Sequence, residues 1–409
     1  MSTCRGLALA AGLWAAVGPD AAAQFVSGEW VERSDAAARE HRMAEVGAVV
    51  FDAEGRLVPG AEVRFEQVRH AFGVGFVVPE PGFPVGYDRE AEGWRVFNTA
   101  SVERFTGWRR IQPEAEGGLV MGELDELLRK VGAAGLRVRW GPVVSGEAFD
   151  LPEWVVPLRG AALRDAGKGF LEAVLTRYGG AIEGLELAEE TVGYERWTPA
   201  ALRQLVMASE FRSPGLTPRL RFDDALAGGG TFEAARAIDA AVKQRMGFRG
   251  FSVTHRFGPR PIAQDRLEPA LRRLTGFGRP IVVASLEVGG GSALEAATNA
   301  EVVLRTLFAD PRVEGVVFAG LTAADLAEPS AALFDQAGEP TGVMRSADRL
   351  FREVWWSDET VETDELGRAS ARVFRGEYRL TATLPDGSRT EARLRVDGPR
   401  DVVLMPVAP

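Results

Sequence analysis

Between residues 70 and 356 the chain alternates short apolar runs with longer stretches in which apolar positions recur every three or four residues. The short runs predict strands over 72–78, 96–103, 136–144, 182–190, 219–224, 250–255, 280–288 and 313–321. Helical periodicity fills most of the gaps, for example over 124–134, 163–178, 232–246 and 293–308. Eight strands alternating with helices over this length predict an α/β fold, a (β/α)8 TIM barrel. An open doubly wound sheet is the competing arrangement. It fits less well, because no glycine-rich phosphate loop follows the first strand and Gly289-Gly290-Gly291 lacks the G-x-G-x-x-G spacing.

The two ends have a different texture. Residues 46–52 and 61–68 alternate around a turn at 53–56, which predicts a β-hairpin. Residues 368–374, 378–384, 390–396 and 402–405 predict further short strands, separated by Arg375-Gly376, Pro385-Asp386-Gly387 and Asp397-Gly398-Pro399. A two-stranded hairpin is only marginally stable by itself. The expectation is therefore one small accessory β-sandwich built from 46–69 and 357–409 and interrupted by the barrel at 70–356. Val49-Val-Phe-Asp-Ala-Glu-Gly-Arg-Leu-Val-Pro-Gly-Ala-Glu-Val63, followed by Thr363-Asp-Glu-Leu-Gly367 and Gly376-Glu-Tyr-Arg-Leu380, resembles a carboxypeptidase-regulatory-like, transthyretin-type sandwich. Residues 24–45 read as a polar linker or helix.

The chain has 409 residues, 46% hydrophobic and 26% charged, which suits a globular protein with a sizeable core. A net charge of −10 argues against nucleic acid or an anionic membrane as partner and permits a neutral polysaccharide. Arg5, the apolar run 6–18 and Ala21-Ala22-Ala23 have the layout of a secretory signal over 1–23, cleaved near Ala23. That layout predicts a secreted, periplasmic or cell-surface protein. The one cysteine, Cys4, lies inside this segment, so no disulfide is expected after cleavage. No other run is long enough to predict a membrane span.

Candidate chemistry begins at Ala181-Ile-Glu-Gly-Leu-Glu-Leu-Ala-Glu-Glu190, a strand that runs out in two carboxylates. In a parallel barrel the carboxyl ends of the strands form the catalytic mouth. A glutamate partly buried there is a natural general acid.

At this point the barrel resembles glycoside hydrolase family 10, the endo-β-1,4-xylanases. Phe97-Asn98 with Glu103 and Trp108 is similar to the family's strand-two pattern, and Gly135-Leu-Arg-Val-Arg139 and Pro152-Glu-Trp-Val155 to its strand-three region. Leu185-Glu-Leu-Ala-Glu-Glu190 matches Trp-Asp-Val-Val-Asn-Glu, which implies Glu190 as general acid/base and Glu189 at the asparagine that binds the sugar 2-hydroxyl. Asp224 and His255 match the aspartate of strand five and the histidine of strand six. Ala284-Ser-Leu-Glu287 matches Thr-Glu-Leu-Asp, which puts Ser285 at the nucleophile position. Gly320 and Leu333-Phe-Asp335 fit the strand-eight tail.

The departures concentrate where the sugar would react. The strand-two asparagine and lysine are Arg104 and Gly107, and the strand-eight tryptophan is Ala319. Trp140-Gly-Pro-Val-Val-Ser145 stands where the family has Gly-His-Thr-Leu-Val-Trp. A retaining glycosidase needs two carboxyl groups about 5–5.5 Å apart, and a serine is no substitute for one. Glu287, two residues beyond Ser285, could serve instead as base or nucleophile opposite Glu190, since inverting enzymes tolerate about 6.5–9.5 Å. Its bland role is to hold His255. A Ser285–His255–Glu287 arrangement is also conceivable.

Trp94, Trp108, Trp140, Trp154 and Trp197 are candidates for stacking on sugar or, equally, for packing. Trp355-Trp356 is expected to close the last helix against the sandwich. Arg104 and Arg139 are expected to neutralise the acids. Asp223-Asp224 with the glutamates raises a divalent cation site, but no ligand spacing supports one, and no cofactor is implied.

Three functions follow. The first is a family-10-like protein that binds a xylan-like polysaccharide with hydrolysis lost or much reduced. The second is an active glycosidase of endo-1,4-β-xylanase type, cleaving O-glycosyl bonds with Glu190 and Glu287. The third is a structural cell-surface protein.

Overall fold

The computed structural model describes residues 27–115, 117–145, 151–189, 196–398 and 400–406. The expected leader at 1–23 and the candidate acid Glu190 lie outside the described residues.

The described chain opens with a helix, α1 (Gly28–Arg42), in the segment read as linker or helix. Ser27 caps it, and Glu29 in its first turn complements the helix dipole. It leads into β1 (Met43–Phe51) and β2 (Glu62–His70). The barrel strands follow: β3 (Gly73–Val77), β4 (Thr99–Ser101), β5 (Arg137–Trp140), β6 (Ile182–Glu189), β7 (Pro218–Phe222), β8 (Gly250–Phe257), β9 (Ile281–Val288) and β10 (Val313–Phe318). They form one closed parallel barrel in the circular order β10-β3-β4-β5-β6-β7-β8-β9.

Helices α2 (Gly122–Ala133), α3 (Gly160–Tyr178), α4 (Pro199–Arg212), α5 (Gly228–Lys243), α6 (Gln264–Thr275), α7 (Ala293–Ala309) and α8 (Gly342–Arg349) follow β4 to β10 in turn. Local sequence starts several of them. Thr198 with Pro199 begins α4, and Ser292 begins α7, each side chain accepting from a backbone N–H of the first turn. Between β3 and β4 there is only a 3-10 turn at Trp94–Val96. Helix α1 packs on α7 near α6. The Trp30 indole N–H donates to Glu268 at 2.7 Å, and Asp35 lies 2.6 Å from the Arg305 guanidinium. Among the described residues no helix is long and apolar enough to cross a membrane.

All eight expected barrel strands are present, but the one predicted over 96–103 shrinks to Thr99–Ser101. The buried Asn98 side chain accepts from Val74 N–H and donates to the carbonyls of His70 and Phe72, which ties the chain to β3 before β4 begins. Beyond Ser101 the backbone turns into the 3-10 helix Glu103–Phe105.

After the barrel come β11 (Asp358–Glu362), β12 (Arg368–Phe374), β13 (Gly376–Thr383), β14 (Arg389–Val396) and β15 (Arg400–Pro406). They combine with the first strands into two sheets, β12-β1-β15 and β11-β2-β13-β14. The predicted hairpin is not formed: β1 and β2 belong to opposite sheets, and the bridge between Phe51 and Leu57 pairs the end of β1 with the loop after it, not with β2. The alternation has a different cause from the one expected. Val46 and Val50 on one strand and Val63 and Phe65 on the other face each other across a common core with Leu380 and Met405. Each such buried side chain contributes about 1.5–3 kcal/mol, which two isolated strands could not obtain.

The barrel interior departs from the usual layers of branched apolar side chains. Arg221 on β7 reaches Glu103 just past β4, and Arg219 reaches Glu314 on β10, each contact crossing the lumen. Arg139 on β5 donates to Glu186 on β6 at 3.0 Å.

Candidate functional site

At the carboxyl ends of the strands a cavity of about 510 Å³ is bordered by Glu103, Trp108, Ser145, Glu189 and Arg221, among others. Arg221 is its centre. The guanidinium lies 2.6 Å from Glu103, 3.4 Å from Glu186, 3.6 Å from Glu189 and 3.4 Å from Asp223. Its position follows from strand alternation, which sends Arg219 and Arg221 to the same inner face of β7. Burial disfavours the Arg221 cation, but the carboxylates, Glu103 foremost, outweigh it and hold the group charged well beyond its ordinary range. Burial pushes the Glu103 carboxyl up from its usual value, with Arg221 opposing and Glu186 adding to the rise. The result is a fixed cation in the floor of the mouth, ringed by acids.

The residues expected to react are arranged differently from the sequence reading. His255 Nδ1 lies 2.7 Å from Asp224 Oδ1, and its ring meets Phe257 edge-on at 4.2 Å. Burial lowers the His255 pKa, with Asp224 working against it. Glu287 does not hold His255. One of its oxygens accepts from the backbone N–H of Glu328 at 2.6 Å, and the other lies 3.4 Å from Arg256 Nε. With His255 turned to Asp224 and Glu287 to Glu328, the structure does not assemble a Ser285–His255–Glu287 relay. Ser285 sits half-buried on β9, in register with Thr254 of β8.

Asp223 and Asp224 diverge. The first accepts from the Thr254 hydroxyl at 2.7 Å and faces Arg221, while the second turns to His255. Among the described residues no group of three or more His, Cys, Asp or Glu side chains is placed to hold a metal ion.

The tryptophans proposed as sugar platforms are mostly structural. Trp108 is 2% exposed, with its ring stacked on Phe170 at 4.9 Å. Trp140 is 1% exposed and leans on Tyr178, so it belongs to packing rather than to the mouth. Trp197 is buried with its N–H on the Ser145 carbonyl, and Trp94 stacks on Phe334. Trp154 lies against Trp108 and donates to the Gln112 carbonyl. Trp355 packs on Phe308 and donates to Asp35, closing the last helix against α1. Arg104 spans the mouth to the carbonyls of Ala319 and Asp325 rather than pairing with an acid. Arg139 does neutralise an acid, Glu186, below the mouth.

Sequence reasoning brought Glu103 and Glu189 to the site but missed Arg221 and Glu186. Both lay in plain view. Arg219-x-Arg221 puts two cations on one face of a barrel strand, an unusual pattern for a lumen normally filled by Val, Ile and Leu.

Known proteins place this architecture. No family model matches the chain. The anti-sigma-I factor RsgI6 of Acetivibrio thermocellus is 23% identical over 372 residues, which cover 87% of this chain and 47% of that protein. The chain thus spans about half the length of that curated relative. Xylanase 10B from Thermotoga petrophila, solved with xylobiose, superposes with a TM-score of 0.59 at 15% identity, covering 69% of this chain and 94% of the other. Native xylanase 10B from Thermotoga maritima gives 0.58 at 15% identity, over 69% and 95%. TsXylA, an intracellular xylanase from Thermoanaerobacterium saccharolyticum, gives 0.56 at 16% identity, over 68% and 95%. Identities this low speak to the fold alone, and on that level the barrel has the architecture of the family 10 xylanases.

Proposed function

We propose that this is a secreted barrel that binds a xylan-like polysaccharide at the carboxyl-end mouth and has lost most or all hydrolysis. The observation that carries the reading is Arg221 among Glu103, Glu186 and Glu189. Glycoside hydrolysis needs carboxyl groups free to attack the sugar or activate water, and here Glu103, Glu186 and Glu189 are turned to Arg221 instead. Ser285 stands where the resemblance to family 10 puts the nucleophile, and a serine is no substitute for that carboxylate. What remains, Glu103, Glu189 and the arginine N–H groups, suits hydrogen bonding to sugar hydroxyls. The aligned relative is named as an anti-sigma factor and not as a hydrolase, which is compatible with a barrel kept for binding.

The second reading is catalysis by Glu190 as acid with Glu287 as base or nucleophile. Against it, both oxygens of Glu287 are engaged, by Glu328 N–H and by Arg256.

The test is hydrolysis of xylan and aryl-xylosides by the chain from Gln24, beside Glu190→Gln, with binding to insoluble xylan measured on the same samples. The expected outcome is binding by both proteins and turnover by neither. Turnover abolished in Glu190→Gln would establish the second reading. Neither binding nor turnover would leave the barrel as a scaffold.

A further inference from the structure

The opposite end of the barrel holds a second cavity, of about 430 Å³, between the starts of the strands and the sandwich. Among the described residues it is bordered by the guanidinium-bearing residues Arg42, Arg137, Arg139, Arg219, Arg375 and Arg395 and by three acids, Glu183, Glu314 and Asp397. This excess of positive charge stands out in a chain whose net charge is −10.

The acids are already committed. Glu314 pairs with Arg219 through one guanidinium nitrogen, and Asp397 lies 2.6 Å from Arg395 Nε. Glu183 lies 3.9 Å from Arg137. Yet several donors remain unanswered. Arg219 is 6% exposed, and among the described residues its Nε and Nη1 have no hydrogen-bond partner; the same holds for the Nε of Arg139 and of Arg375. Buried donors on a charged group are costly to leave unmatched. Burial also pulls Arg42 and Arg137 down to about 10, as expected for cations crowded away from water.

The backbone makes room for these groups. A Cβ on Gly184 would sit 2.7 Å from Arg139 Nη1, and one on Gly250 would sit 2.8 Å from Arg219 Nη1. A Cβ at either position would therefore push the guanidinium from its present place, so the two glycines leave these side chains room as they stand.

We propose that this cavity binds a small tetrahedral oxyanion of the phosphate or sulfate class. Unmatched guanidinium N–H groups that border one cavity from β5, β7 and the β12–β13 turn suit an acceptor with several oxygens around one centre. A single carboxylate would answer fewer of the free N–H groups. The site lies at the other end of the barrel from the mouth, with Glu186 between Arg139 and Arg221.

Isothermal titration calorimetry of the full chain with inorganic phosphate and with sulfate tests this, at an ionic strength held constant with sodium chloride. Saturable binding of either ion is expected, and Arg219→Met and Arg375→Ala should each weaken it by about tenfold or more. Arg375 is half-buried in a turn of the sandwich, so its variant carries the test if Arg219→Met fails to fold. No saturable heat with either ion, or unchanged affinity in Arg375→Ala, would overturn the proposal.

Discussion

Arg221 is a side chain whose removal separates structural from functional demand. It answers Glu103 and Glu186, both largely buried. Replacing it with methionine keeps the volume and leaves those carboxylates uncompensated, which should cost about 3–5 kcal/mol in denaturant unfolding. Adding Glu103→Gln should return part of that loss, because the orphaned charge is then gone. The pH dependence has a definite sign. The folded Glu103 carboxyl is raised, so its contribution is most favourable in acid and is lost as pH rises through the folded value. Arg221→Met should therefore lose less stability near pH 4.5 than at pH 7, and an equal loss at both would remove Glu103 from the account.

At the scale of elements, the joint between sandwich and barrel is held by His70, at the end of β2. Its Nδ1 accepts from Phe72 N–H at 3.1 Å, and its Nε2 lies 3.1 Å from the Trp355 carbonyl, so the neutral ring is locked with its proton on Nε2. Burial pulls its pKa down to about 3. Stability present at neutral pH is thus lost as pH falls below the unfolded value of 6.5, by up to about 1.4 kcal/mol per unit until about 3. Urea melts of wild type and His70→Gln between pH 7 and 5 check this: the variant should show the shallower dependence. Elements are also where the sequence was most legible. Apolar runs located strands such as β3, β9 and β10, because a strand buried on both faces is mostly apolar. By contrast, β5 and β7 carry arginines and were marked by their place between helical stretches. What alternation did not reveal was partner choice. The periods of β1 and β2 suit a hairpin and a pair of facing sheets equally well, and the core formed with Leu380 and Met405 decides between them. The site was less legible for the same reason. Glu103 and Glu189 sit at strand ends, where acids are anticipated, whereas Arg221 and Glu186 lie at positions that the fold normally gives to apolar residues.

For the molecule as a whole, the sandwich makes the segments before and after the barrel interdependent. Strand β1 lies between β12 and β15, pairing Gly47 with Ser370 on one side and with Val402 on the other. Removing β15 by truncation after Val396 should strip one flank from β1 and, with Met405 gone, uncover the core around Val46 and Val50. The expected result is a lower melting temperature and self-association in size-exclusion chromatography. A truncated chain that stays monomeric with an unchanged melt would show that β15 adds little.

This arrangement also sets an order of events during synthesis. The Ala61 amide beside β2 finds its acceptor, the Thr363 hydroxyl, 302 residues later, so the first strands leave the ribosome long before their partners exist. A nascent chain arrested just after α8 would carry a folded barrel with two unpaired strands at its root, open to pairing with another copy. Emergence of residues 358–406 is then the step that closes the sandwich.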